Sequence, residues 1–142
     1  MRFLGVDVGA KRVGIAVSDD DGRVAVPSES VEAHTAVEHI VRLAPEHVVI
    51  GLPLDLNGKE GLATRKARKF AEKLENLREK EGISFQIHWV DERFSSVVAG
   101  HLLTEAGLSQ KRQRGVVDAL AASQILQGFL DSRNNDGSNE ET

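Results

Sequence analysis

The sequence predicts an α/β domain built on a mixed five-stranded sheet, an antiparallel meander of three strands followed by two parallel strands, with helices on both faces. Three observations carry this. Residues 1–27 hold three short apolar or alternating runs divided by turn residues, the pattern of a meander. Two later apolar runs are each reached through a segment of helical periodicity, and strands joined through helices are parallel, with right-handed crossovers. The length of 142 residues fits one domain, which must then cover both faces of its sheet.

The elements follow in chain order. Arg2 to Val8 is a short, mostly apolar strand that enters a turn at Gly9. Arg12 to Ser18 alternates and is rich in Val and Ile, and Asp19-Asp20-Asp21-Gly22 is turn chemistry. Arg23 to Pro27 is a third short strand. Val37, Ile40 and Val41 give helical spacing from about His34 to Leu43, and Pro45 ends that helix. His47 to Leu52 (HVVIGL) is nearly continuous in apolar residues, as a strand buried on both faces should be.

After a loop over residues 53–58, a long helix runs to about Lys80. Ala63, Ala67, Phe70, Leu74 and Leu77 form its apolar stripe. Lys66, Lys69 and Lys73 share one exposed side of it, while Glu72, Glu75 and Glu79 share another. Gly82 is a stop. Ile83 to Val90 alternates between two unlike faces, as a strand does. Ser95 or Ser96 caps a helix to about Ala106, and Gly107 ends it. A basic loop leads to a final helix over about Gly115 to Asp131. The domain is therefore expected to span residues 1–131. Residues 132–142 lack apolar content and are expected to form a disordered polar tail.

Composition narrows the chemistry. There is no cysteine, which excludes disulfides, thiolate metal sites and cysteine nucleophiles. No run approaches the ~18 apolar residues of a membrane span, and the first residues are no signal peptide. A cytoplasmic location is the expectation. The net charge is −4, so nucleic-acid binding would depend on local clusters rather than on overall charge. Such clusters occur at Lys11-Arg12, at 65–69 and at Lys111, Arg112 and Arg114. Each alone could equally be a solvated face. None of the five histidines has convincing zinc spacing, and all read as structural or exposed.

Three carboxylates stand out. Asp7 lies near the end of an apolar strand between Gly5 and Gly9, where an uncompensated charge is costly. An aspartate satisfying turn amides would look the same. Glu92 sits at the carboxyl end of the fifth strand, where ligands gather in open α/β sheets; Asp91 and Arg93 beside it also allow a simple salt bridge. Asp118 opens the apolar part of the last helix among small residues, where the helix dipole alone would favour it. Together the three can converge on one point. Their oxygens suit Mg²⁺ or Mn²⁺, and a pair of such ions ~4 Å apart can drive phosphodiester cleavage.

GVDVGAKRVGIAVSD (5–19), VVIGLPLDLNGKEG (48–61), VDERFSS (90–96) and VDALAASQIL (117–126) resemble the YqgF/RuvX family in order and spacing. The resemblance covers nearly the whole chain except the tail. It implies an RNase H-like fold and a nuclease that matures the 5′ end of precursor 16S ribosomal RNA, with Holliday-junction resolution described for some members. It carries the family's acids onto Asp7, Glu92 and Asp118, its basic pair onto Lys11 and Arg12, and its motif arginine onto Arg93. Ser95-Ser96 stand where the family usually has Thr-Thr, which keeps both hydroxyls. Gly100 stands where it often has glutamate, which leaves no fourth acid there.

The expected mechanism is hydrolysis with two Mg²⁺ or Mn²⁺ ions. Asp7 would bridge them, and Glu92 and Asp118 would bind one each. Lys11, Arg12 and Arg93 would hold phosphates or stabilise transition-state charge. Lys111, Arg112 and Arg114 would contact the backbone of pre-rRNA or branched DNA. A ribosomal particle is a further partner in prospect, and the chain would act as a monomer or homodimer. With one Trp, five Phe and no Tyr, there is no aromatic platform for reading single-stranded bases. The competing readings are a non-catalytic RNA-binding assembly factor and a phosphate-binding ATPase. The second is suggested by the Asp-x-Gly turn, but those proteins need two such lobes.

Overall fold

The computed structural model describes residues 2–55, 57–91 and 110–141, with side chains given over 115–134 of the last stretch. Its elements are β1 (Phe3–Val8), β2 (Arg12–Ser18), β3 (Ala25–Glu32), α1 (Ala33–Arg42), β4 (His47–Leu52), α2 (Leu62–Glu81), β5 (Gln86–Asp91) and α3 (Gln110–Glu141). The strands form one sheet in the order β3-β2-β1-β4-β5. The first three pair antiparallel, and β4 pairs parallel with both β1 and β5. This is the mixed sheet the sequence predicts. The helix expected near 95–106 lies outside the described residues.

Strand alternation divides the core. Leu4, Val6, Val13, Ile15, Val48 and Ile50 are fully buried on one face, against Ile40 of α1 and Phe70 and Leu74 of α2. Phe3, Ala16 and Val49 point to the other, against Ala122, Ile125, Leu126 and Leu130 of α3. Helix α3 sits close because small residues line its path. A Cβ on Gly5 would lie 2.6 Å from the Ala122 carbonyl oxygen, and one on Gly14 would lie 2.0 Å from that of Asp118.

Three elements differ in their bounds from expectation, each for a physical reason. Strand β3 starts at Ala25 and continues past Pro27 to Glu32. Pro27 pairs with Ala16 across a register shift on an edge strand, where a missing N–H and a bulge are both tolerated. Strand β5 starts at Gln86, not Ile83. The Ile83 N–H instead closes α2 on the Arg78 carbonyl and Gly82 bonds to that of Glu79, with Gly82 at φ 66°, a Schellman closure. Helix α3 begins at Gln110 rather than Gly115, because the Gln, Lys and Arg residues expected to form a basic loop are good helix formers, and it runs on past Asp131. The Arg133 guanidinium lies 5.0 Å over the Phe3 ring and Asn134 reaches the Gly22 carbonyl, so residues beyond the apolar stripe still pack on the domain.

At the start of β4 and β5, the His47 ring stacks on Phe3 at 4.4 Å and His88 lies 4.7 Å from Phe129. His47 Nδ1 and His88 Nε2 are 3.0 Å apart, so one ring donates and the other accepts, and at least one of the two imidazoles is neutral. Burial lowers the pKa of both, and for His88 the neighbouring His47 lowers it further. A depressed histidine pKa gives stability that is complete above the ordinary value of 6.5 and is lost as pH falls through the folded value. The urea midpoint should therefore drop as pH is lowered from 7.5 past 6.5, and the drop should shrink in His88→Leu. An identical slope in that variant would refute the assignment.

Candidate active site

Asp7 follows Phe3 and Gly5 in the alternation of β1 and so belongs to the face that α3 covers. Its partner in register on β2 is Gly14, whose partner on β3 is Ser30. Asp7, Gly14 and Ser30 thus form a row across three strands near the carboxyl end of β1. The backbone of Asp118 rests directly on Gly14. The hydroxyl of Ser30 donates to Asp118 Oδ2 at 3.0 Å, and Arg12 Nε donates to the same oxygen at 2.8 Å.

The local sequence explains this. The Gly9 N–H bonds to the Arg12 carbonyl at 2.9 Å, which closes the turn and places Arg12 first in β2, on the α3 face. Val117, Asp118, Ala119 and the alanines after it let α3 approach the sheet. Together these bring a carboxylate from the last helix onto the strand row holding Asp7. The Arg12–Asp118 pair is partly exposed, with side chains 36% and 23% accessible. Such pairs add ~1 kcal/mol or less to stability, so its effect is to orient the Asp118 carboxylate.

The sequence-predicted residues fare unequally. Asp7 and Asp118 share one face at one end of the sheet. Arg12 joins them, but through Asp118 rather than as an open phosphate contact. Lys11 is exposed in the turn, and its carbonyl accepts the Ala33 N–H. Glu92 and Arg93 lie outside the described residues; Glu92 directly follows Asp91, the last residue of β5, which pairs with Leu52 of β4. Lys111, Arg112 and Arg114 fall in the first turns of α3, and their side chains lie outside the described residues. Ser30 is the member that sequence reasoning missed. Only the bulged register of β3 sets it beside Gly14.

A second structured feature borders this edge of the sheet. After β4 the chain forms a tight loop in which Asp55 Oδ1 accepts the N–H groups of Asn57 and Lys59, both at 2.8 Å. Buried Thr64 donates to the Pro53 carbonyl at 2.5 Å, and Arg68 pairs with Glu60 while lying 5.4 Å over the Trp89 ring. The loop is held by its own bonds at the carboxyl end of β4, the strand next to Asp7.

The donor set suits a hard cation, being carboxylate and hydroxyl oxygens without sulfur or imidazole. Among the described residues no three acids or histidines form a metal cage. Asp7 and Asp118 are the two that could supply part of one. No described helix is long and apolar enough to cross a membrane.

Residues 1–132 match the family model described as RuvX, Holliday junction resolvase. A protein of Moorella thermoacetica named "Putative pre-16S rRNA nuclease" is 37% identical over 96% of this chain and 99% of its own. One of the same name from Anaeromyxobacter dehalogenans is 41% identical over 94% and 98%. Among solved structures, Thermus thermophilus RuvC in complex with a Holliday junction substrate superposes with a TM-score of 0.50 at 14% identity, over 95% of this chain and 96% of that one. The likeness to that structure is one of fold, the RNase H-like arrangement.

Proposed function

This chain belongs to the RuvX family, and from that membership we propose that it is a metal-dependent endonuclease whose substrate is the 5′ leader of precursor 16S ribosomal RNA. The observation that carries the reading is the strand row Asp7-Gly14-Ser30 with Asp118 seated on Gly14. It joins the first strand and the last helix at the sheet edge where α/β proteins bind ligands.

In the mechanism we propose, Asp7, Glu92 and Asp118 hold divalent metal, Mg²⁺ or Mn²⁺. When bound, a pair of such ions supplies an activated water and stabilises the leaving oxygen. Ser30 keeps Asp118 Oδ2 turned toward the row through its 3.0 Å bond. Arg12 holds that carboxylate through Nε, and its remaining guanidinium N–H groups would meet a substrate phosphate. Lys11, exposed in the turn, attracts the nucleic-acid backbone, as do Arg93 and the cluster of Lys111, Arg112 and Arg114.

The test offers the protein a precursor rRNA fragment carrying the 5′ leader and, separately, a four-way DNA junction, each with Mg²⁺ or Mn²⁺. Cleavage of the RNA at a defined position, abolished by chelation, is expected. A junction resolvase is the second reading, favoured by the description of the matching family. It predicts paired symmetric cuts in the junction and a dimer in sedimentation. Binding of RNA without any cleavage would leave the chain a non-catalytic assembly factor.

A further inference from the structure

On the face of the sheet opposite Asp118, α1 and α2 enclose a groove of about 610 Å³. Its floor is apolar, with Val37, Phe70 and Leu77. Its wall is a lysine row from one helix: Lys66, Lys69, Lys73 and Lys80. The steps of three, four and seven residues keep all four on one side of α2, over ~21 Å of helix. The acids Glu72, Glu75 and Glu79 of the same helix are absent from the lining. Among the described residues none of the four lysines has an ion pair, and the lining carboxylate Glu38 lies 3.7 Å from Arg42. Like charges three and four residues apart repel one another and destabilise a helix, and with none of these lysines ion-paired among the described residues the row suits an external polyanion.

The groove also has a direction. Its lining includes Val8, Gly9 and Ala10, the residues that follow Asp7 out of β1. Helix α2 begins after the carboxyl end of β4, so its first turns and Lys66 lie at that end. Exposed Lys11 stands in the same turn. A chain of positive charge thus runs from the edge of the candidate active site, over the Gly9–Ala10 turn, and down between α1 and α2.

We propose that this groove binds the single-stranded flank of the nucleic-acid substrate, the lysine row pairing with successive phosphates on one side of the cleavage site. The inference rests on the nuclease reading for the identity of the strand as substrate. The groove offers lysines to phosphates, and Phe70 in its floor is buried, only 7% exposed, so it gives bases no open face to stack on; the groove takes the strand without regard to base sequence.

The experiment is fluorescence anisotropy of a labelled single-stranded 20-mer RNA in EDTA, with salt varied. Lys69→Gln/Lys73→Gln keeps the helix propensity of both positions. Neutralising two lysines that pair with phosphates of a single strand should flatten the log–log salt slope by ~1.4 and weaken binding on the order of tenfold at low salt. Arg2→Gln/Arg23→Gln, outside the groove, removes the same charge and should bind close to wild type. Wild-type binding by the lysine variant, or a loss no greater than in the control, overturns the proposal. So does tighter lysine-dependent binding of poly-glutamate than of RNA, which would make the groove a site for an acidic protein segment. Because the assay needs no cleavage, lysine-dependent binding by a protein that never cuts would sink the nuclease reading and leave the groove assignment standing.

Discussion

Asp7→Asn is expected to abolish cleavage while leaving the fold intact. Asparagine has the shape of aspartate, and the register of β1 with β2 and β4 is made by backbone. What changes is the charge. A neutral amide is a poor partner for a hard divalent cation. Loss of a direct ligand should exceed the ~10–100-fold that outer-shell partners of metals typically cost. Two measurements check this together. The rate on a cleavable substrate should fall to background, and the rise in melting temperature that Mg²⁺ gives the wild type should vanish. A variant that cuts at the wild-type rate would exclude Asp7 from the site. One that loses activity but keeps the full thermal response to Mg²⁺ would exclude it as a ligand.

Gly14→Ala should be among the most damaging substitutions of a single hydrogen by a methyl group. The new Cβ would lie 2.0 Å from the Asp118 carbonyl oxygen, 2.4 Å from its carbonyl carbon and 3.0 Å from its Cα. These are backbone atoms, so no rotamer change relieves the overlap. Nor can the helix simply lift, because one turn on it is seated against Gly5, where a Cβ would stand 2.6 Å from the Ala122 oxygen and 2.7 Å from Leu126 Cβ. The cost should reach or exceed the upper end of the ~1–3 kcal/mol usual for overpacking. A fall in melting temperature on the order of 10 °C would correspond. Protein that still folds must hold Asp118 away from the row of Asp7 and Ser30, so its activity should fall as well. Gly128→Ala on the same helix is the control. Nothing lies within 4 Å of its added Cβ, and replacing a mid-helix glycine should stabilise by ~0.5–1 kcal/mol. A Gly14→Ala protein with wild-type melting temperature would show that α3 does not rest on β2 as described.

The degree to which each part was legible in the chain follows from the range of the interaction behind it. β1, β2, β4 and α2 are readable because alternation or helical spacing of apolar residues is a local consequence of which face is buried. The end of α2 is readable because Gly82 takes a backbone angle that favours glycine. Strand β3 is readable as the third strand of the meander but not in its bounds, since its pairing with β2 overrides Pro27 and carries it on to Glu32. The start of β5 is misread for the opposite reason, as the N–H of Ile83 belongs to the helix before it. The reach of α3 beyond Asp131 is invisible to any hydrophobic pattern, because Arg133 packs by laying its guanidinium over Phe3.

The candidate site divides in the same way. By itself the sequence determined the order of the elements, the mixed sheet, the absence of thiol chemistry and the acids worth considering. Apolar periodicity and residue chemistry are properties of short windows. It could not decide that Asp118 meets the strand row of Asp7, that Arg12 turns to that aspartate, or that Ser30 joins them. Those facts depend on how closely α3 approaches β2. Two glycines set that distance, Gly5 and Gly14, through side chains they do not have. A missing Cβ has no meaning until the helix that fills its place, more than a hundred residues later in the chain, is packed against it.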